Sequence, residues 1–114
     1  MILKINDYIT CNKGITPDEG EVIFNMLVKS FTSNERVLLD FQGVEMLTTA
    51  FLNVMIGNLY KDYSSDQLKE FLDFVNLTEG IASRIKKVTA NAKLFYRDEE
   101  KYNKTIDSVI NGND

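Results

Sequence analysis

Histidine and tryptophan are absent from this 114-residue chain, and cysteine and proline occur once each, as Cys11 and Pro17. Without histidine there is no imidazole for general acid–base work, and a single thiol can neither close an internal disulfide nor anchor a zinc site. No glycine-rich phosphate loop is present, and the usual hydrolytic sites are missing with it. The expected content of metal and cofactor is none. The longest apolar region, Met46 to Tyr60, is interrupted by threonine and asparagine and is too short to cross a bilayer. The opening residues MILKIND lack a signal-peptide pattern, so a reducing cytoplasm is the expected setting.

What is present is an ordinary globular composition with an uneven charge. The formal net charge is −4, yet 7 of the 13 Lys and Arg residues fall between Arg84 and Lys104, opposed there only by Asp98, Glu99 and Glu100. The body is correspondingly acidic. A basic stretch can meet an acidic partner, a nucleic acid or another copy of the body, but a solvated helix face explains it with fewer assumptions. None of the established nucleic-acid modules is present, so nucleic acid is not an expected partner. Tyr60, Tyr63, Phe95, Tyr96 and Tyr102 are read as core or interface aromatics, because no Lys/Arg interleaving makes a base-stacking platform of them.

The local pattern alternates strands and helices. Ile2 to Ile5 and Tyr8 to Cys11, separated by Asn6-Asp7, suggest a small antiparallel hairpin. Thr16-Pro17-Asp18-Glu19 is a helix start: a threonine cap, proline at the first helical position and glutamate three residues after the cap. Ile23, Phe24, Leu27, Val28 and Phe31 supply its apolar stripe. Val37 to Leu39 then predict a strand that ends near Phe41, with Asp40 first and Gly43 fourth in a type I turn. After a brief extended piece, Val44 to Leu47, the Thr48 and Thr49 hydroxyls can accept bonds from the free N–H groups that open a helix. That helix should bury Phe51, Leu52, Met55, Ile56, Leu59, Tyr60 and Tyr63. Ser64-Ser65-Asp66 breaks it, and Phe71 to Val75 predict one more strand.

From about Thr78 to Ile110, Ile81, Ile85, Val88, Ala92, Phe95, Tyr102, Ile106 and Val109 keep a helical spacing. A continuous helix of that span is roughly 50 Å long and outreaches a body of this size, so it either breaks near Arg97 or carries a seam that a partner covers. The expected architecture is α/β: one domain over residues 1–114, with a mixed four-stranded sheet, helices mainly on one face and a C-terminal helical part over 78–110. Val37, Leu39, Phe41 and Phe74 are expected in one core.

The segment Leu39-Asp40-Phe41-Gln42-Gly43-Val44, followed by Ala50-Phe51 and then Gly57 and Leu59, resembles the STAS superfamily, the fold of anti-sigma-factor antagonists. It is most similar to a STAS-like family of unknown function that carries an "LDF-x-GV" element followed by a Ser-Phe helix entry and a Gly-x-Leu. In the phosphorylatable antagonists the helix entry reads Asp-Ser-Ser-Gly and a partner kinase modifies the second serine. Thr48 takes the place of that Asp, Thr49 the first Ser, Ala50 the phosphorylated Ser and Phe51 the Gly. The acceptor hydroxyl is thus missing, and Thr49 is a substitute only if the helix entry shifts by one residue.

Three readings of function follow. The resemblance implies a non-enzymatic regulatory module whose partner is an ATP-binding, kinase-like regulator of the anti-sigma type, docked through Asp40, Gly43, Thr48, Thr49 and Asn53. The free N–H groups at the same helix entry would also suit an anion. The apolar seam of Phe95, Tyr102, Ile106 and Val109 supports instead a structural module that self-associates, through a homodimer resembling a coiled coil. A small enzyme is the third reading, and only Asp40 and Glu45 offer it a carboxylate pair; turn formation explains both more simply, so no enzyme is expected.

Overall fold

The computed structural model describes the backbone of residues 1–111 and the side chains of residues 1–96. Five short strands, β1 (Ile2–Lys4), β2 (Lys13–Gly14), β3 (Val37–Asp40), β4 (Met46–Leu47) and β5 (Leu72–Val75), are interleaved with helices α1 (Pro17–Thr32), α2 (Thr49–Met55), α3 (Ser65–Phe71) and α4 (Glu79–Asn111). Two 3-10 turns, Ile5–Tyr8 and Gly57–Lys61, complete the path. The strands form two parallel sheets, one of order β1-β3-β5 and one pairing β2 with β4, instead of a mixed four-stranded sheet.

The expected N-terminal hairpin is not formed, and the reason lies in the residues that were to make it. Asn6 and Asp7 fall inside a 3-10 turn whose first residue, Ile5, is fully buried, so core packing captures the chain before a return strand can begin. Cys11 and Asn12 both take positive φ, 54° and 61°, and the Lys13 N–H donates to the Thr10 carbonyl at 3.1 Å. Left-handed backbone at both central positions is the signature of a type I′ turn. Cys11 is therefore an exposed turn residue and not part of a strand. This turn delivers β2 to β4, and the pairing is closed at both of its ends: the Glu45 N–H reaches the Asn12 carbonyl at 2.8 Å and the Thr48 N–H reaches the Gly14 carbonyl at 2.9 Å.

Helix α1 begins as its sequence dictates. Thr16 accepts from the Glu19 N–H at 3.3 Å while the Glu19 carboxylate takes the Thr16 N–H at 3.3 Å, satisfying two donors that a helix start leaves free. Partial burial raises the Glu19 pKa, but the hydrogen bonds from Thr16 and Ile15 outweigh it and hold the carboxyl below its ordinary value. Ile23, Leu27 and Phe31 form the buried stripe. Against it lies α2, shorter than expected: at Ile56 the helix gives way to the 3-10 turn Gly57–Lys61, and Ser64 then caps α3, a separate helix with its own Ser64–Gln67 capping box. Tyr63 packs edge-on against Phe31, ring centroids 5.3 Å apart.

Residues alternate in and out along the larger sheet. Leu3, Val37, Leu39 and Leu72 face the helices and are buried, while Ile2 and Asp73 point to the uncovered side. Phe74 corrects the expected core. It stands in register with buried Leu39, on the helix-facing side, yet it is 39% exposed because β5 is the edge strand and little covers that end. It still leans on Phe41, with centroids 6.0 Å apart.

Thr78 caps α4 by accepting from the Ile81 N–H at 3.2 Å, and Ile81, Ile85 and Val88 are buried against the body. The chain keeps to one helix past Arg97, so no separate fold-back helix forms. A helix of 33 residues extends about 50 Å at 1.5 Å per residue, close to the 55 Å long axis of the molecule. No helix of the described residues is long and apolar enough to cross a membrane.

Phe41, 1% exposed, is expected to cost about 3–5 kcal/mol when replaced by alanine, the range for a fully buried aromatic. Phe74→Ala, with its ring partly in solvent already, is expected to cost roughly half of that or less. Urea denaturation of the two variants reads the difference.

Candidate functional site

The residues singled out around the first motif separate into two groups. Asp40 and Gly43 lie at the carboxyl end of the larger sheet. The turn there runs from Phe41 to Val44, with the Val44 N–H donating to the Phe41 carbonyl at 3.0 Å, one residue later than expected. Gly43 thus occupies the third position with φ +80°, which marks a type II turn and favours glycine there. A Cβ at Gly43 would also stand 3.0 Å from Asn6 Nδ2. Asp40 holds the turn from the side: its Oδ1 accepts from the Gln42 N–H at 3.0 Å and from Asn76 Nδ2 at 2.8 Å. Asn76 itself takes φ 60° and ends β5. Asp40 therefore ties the ends of β3 and β5 together, and Glu45 is not among its partners. The bond from Asn76, then that from Gln42, holds the Asp40 carboxyl below its ordinary pKa, with a smaller pull from Lys4 and a slight opposing effect of burial.

Thr48 and Thr49 divide their roles sharply. Thr48 Oγ1 accepts from the Phe51 N–H at 3.1 Å and donates to the Ile15 carbonyl at 2.8 Å. One hydroxyl both caps α2 and fastens it to the segment entering α1. Thr49, Ala50 and Asn53 are exposed on the outer side of α2. Because α2 has seven residues and Thr48 already engages one of its free N–H groups, the helix entry is not organised as an anion site.

Beside this entry stand two residues that the sequence pattern does not single out. Ile15, 49% exposed, and Met46, 39% exposed, flank the position of Thr48, one through the Thr48–Ile15 bond and the other as the outward neighbour of buried Leu47 in β4. The alternation of Met46 with Leu47 was the available signal. Among the described residues no hydrogen bond joins Asp40 or Gly43 to Thr48, Thr49 or Asn53. No group of three or more His, Cys, Asp or Glu side chains among the described residues could hold a metal ion.

A family model for the STAS-like domain of unknown function (DUF4325) matches residues 19–82. The chain belongs to this STAS-like family. The match runs from the first turn of α1 to the first turn of α4 and so contains both groups of motif residues. No curated protein and no solved structure matches the chain.

On the α4 seam, Phe95 is 63% exposed, whereas Tyr102, Ile106 and Val109 lie outside the residues whose side chains are described.

Thr48→Ala removes a cap and a cross-link together and is expected to cost about 1–3 kcal/mol, while Thr49→Ala should stay within about 0.5 kcal/mol of wild type, both read by urea denaturation. The Asp40 carboxyl should titrate below the ordinary aspartate value in an NMR pH series, and Asn76→Ala should move its midpoint upward. Because the folded pKa is lowered, the stabilisation it reflects is complete above the unfolded value near 4 and fades as pH falls through the folded one.

Proposed function

We propose that this protein is a non-enzymatic regulatory module that binds a protein partner through the entry of α2. The observation that carries the reading is the contrast between Thr48 and its neighbours: Thr48 is consumed in holding the helix entry, and Thr49, Ala50 and Asn53 are left facing outward on a rigid mount. Exposed Ile15 and Met46 add apolar area beside them, the kind of content that the centre of a protein interface uses. STAS-like domains are generally regulatory modules without catalysis, and their resemblance to anti-sigma-factor antagonists makes an ATP-binding, kinase-like regulator the partner of choice. A cytoplasmic setting agrees with that choice. Asp40 and Gly43 serve this surface indirectly, by fixing the strand end and turn that lead into β4. Phosphorylation of Thr49 is the corresponding switch, adding charge on the docking face, although the position equivalent to the antagonists' acceptor is Ala50.

A second reading is favoured by Phe95. The stripe that buries Ile81, Ile85 and Val88 on the body reaches Phe95 on the same helix, where the ring is largely in solvent. Tyr102, Ile106 and Val109 continue the spacing in sequence. Self-association along this seam, with the basic stretch of α4 against the acidic body of a second copy, would cover it, though exposed ion pairs would add little to affinity.

Asn53→Arg places a long cation on the docking face and should reduce the partner recovered with the tagged protein from native cells, at unchanged melting temperature; equal recovery would move the docking surface away from α2. Light scattering at micromolar concentration should give a dimer mass that Phe95→Glu lowers to a monomer. A strictly monomeric wild-type chain would remove the second reading and leave the first standing.

A further inference from the structure

A groove of about 200 Å³ opens between α3, β5 and α4, and no residue from Asp40 to Val44 lines it. Its walls are Ile56, Leu68, Leu72, Phe74 and Ile85, and it accounts for the exposure of Phe74: the ring forms part of the groove wall at the edge of the sheet. Lys69 and Lys93 line it together with Tyr60, Ser65 and Thr89, whose hydroxyl already donates to the Lys86 carbonyl at 3.0 Å. None of its ten lining residues is acidic, in a chain where Asp and Glu outnumber Lys and Arg by 17 to 13. Lys93 is held over the groove: its Nζ lies 5.9 Å from the centroid of the Tyr60 ring, within cation–π reach. Two lysines beside an apolar floor, with no acidic residue in the lining, select a ligand with an apolar body and an anionic head.

We infer that this groove binds a small amphipathic carboxylate, with its apolar part against Leu72, Phe74 and Ile85 and its carboxylate between Lys69 and Lys93. The volume limits the apolar part. A cavity of about 150 Å³ lined by aliphatic and aromatic side chains takes up one benzene ring, so the groove shelters a single ring or a short acyl chain. The inference is independent of the docking surface at the α2 entry, since none of Ile15, Met46, Thr49, Ala50 or Asn53 lines the groove.

The test is a 15N NMR titration of the full chain with octanoate, up to about 5 mM, with 1-octanol as the uncharged control of the same length. Octanoate is expected to shift the amides of Leu72, Phe74, Ile85 and Thr89 in a saturable way while Ile23 and Leu27 in α1 stay put. It should bind about tenfold more tightly than octanol, the size expected for a charge-assisted hydrogen bond. Because Lys69 and Lys93 are exposed, the double variant Lys69→Gln/Lys93→Gln should fold normally and lose that preference while keeping the octanol affinity. Absence of saturable shifts, equal binding of octanol and octanoate, shifts spread over the whole chain, or an unchanged preference in the double variant would each overturn the assignment.

Discussion

The close crossing of α1 over α2 at Gly20 is the constraint on which the rest of the structure depends. A Cβ added at Gly20 would fall 2.6 Å from the Phe51 carbonyl oxygen and 3.4 Å from the Met55 nitrogen, so the two backbones touch with nothing between them. Backbone atoms cannot swing aside as a flexible side chain can. That approach lets Ile23 and Leu27 of α1 and Phe51, Leu52 and Met55 of α2 enter one core, where all five are fully buried. It also seats α2 close enough to the segment before α1 for Thr48 to reach the Ile15 carbonyl.

The candidate docking surface follows from that contact. A helix of seven residues has little stability of its own, and α2 stands because its inner side is packed on α1 and its first turn is fastened twice by Thr48. The outer side is then free to carry Thr49, Ala50 and Asn53 without a structural duty. At the other end of the same segment, Asp40 and Asn76 lock the carboxyl ends of β3 and β5, and Gly43 turns the chain toward β4. The sheet end and the helix entry form a frame whose exposed residues differ from those that hold it.

Much of this frame was legible where local chemistry and burial agree. Thr16, Pro17 and Glu19 announce α1 because capping is decided within four residues, and the short apolar run Val37-Leu38-Leu39 announces β3 because turn residues close it at Asp40 to Gly43. The threonine pair at the helix entry was visible too, although which hydroxyl would be consumed depends on the carbonyl of Ile15, a partner 33 residues away. Failures came where distant contacts decide. Asn6-Asp7 reads as a hairpin turn until Ile5 is drawn into the core. Phe74 alternates onto the helix-facing side, and only its place on an edge strand leaves it partly bare. The sequence suggests a turn one residue early at Gly43, because type I and type II turns accept the same letters and only the φ of the glycine tells them apart. Ser64-Ser65-Asp66 reads as a helix breaker, yet Gln67 at the capping-box spacing makes Ser64 a helix start.

Bare contact between α1 and α2 at Gly20 holds the core and the α2 entry in place, and urea denaturation of Gly20→Ala beside Gly80→Ala tests this, since Gly80 is a helical glycine whose added Cβ meets nothing within 4 Å. Alanine is the better helix former by about 1 kcal/mol, so without a steric conflict both substitutions should leave stability unchanged or raise it. Gly20→Ala is expected to lose about 1–3 kcal/mol, as overpacking does, while Gly80→Ala loses none. Equal or greater stability of Gly20→Ala than wild type would contradict it.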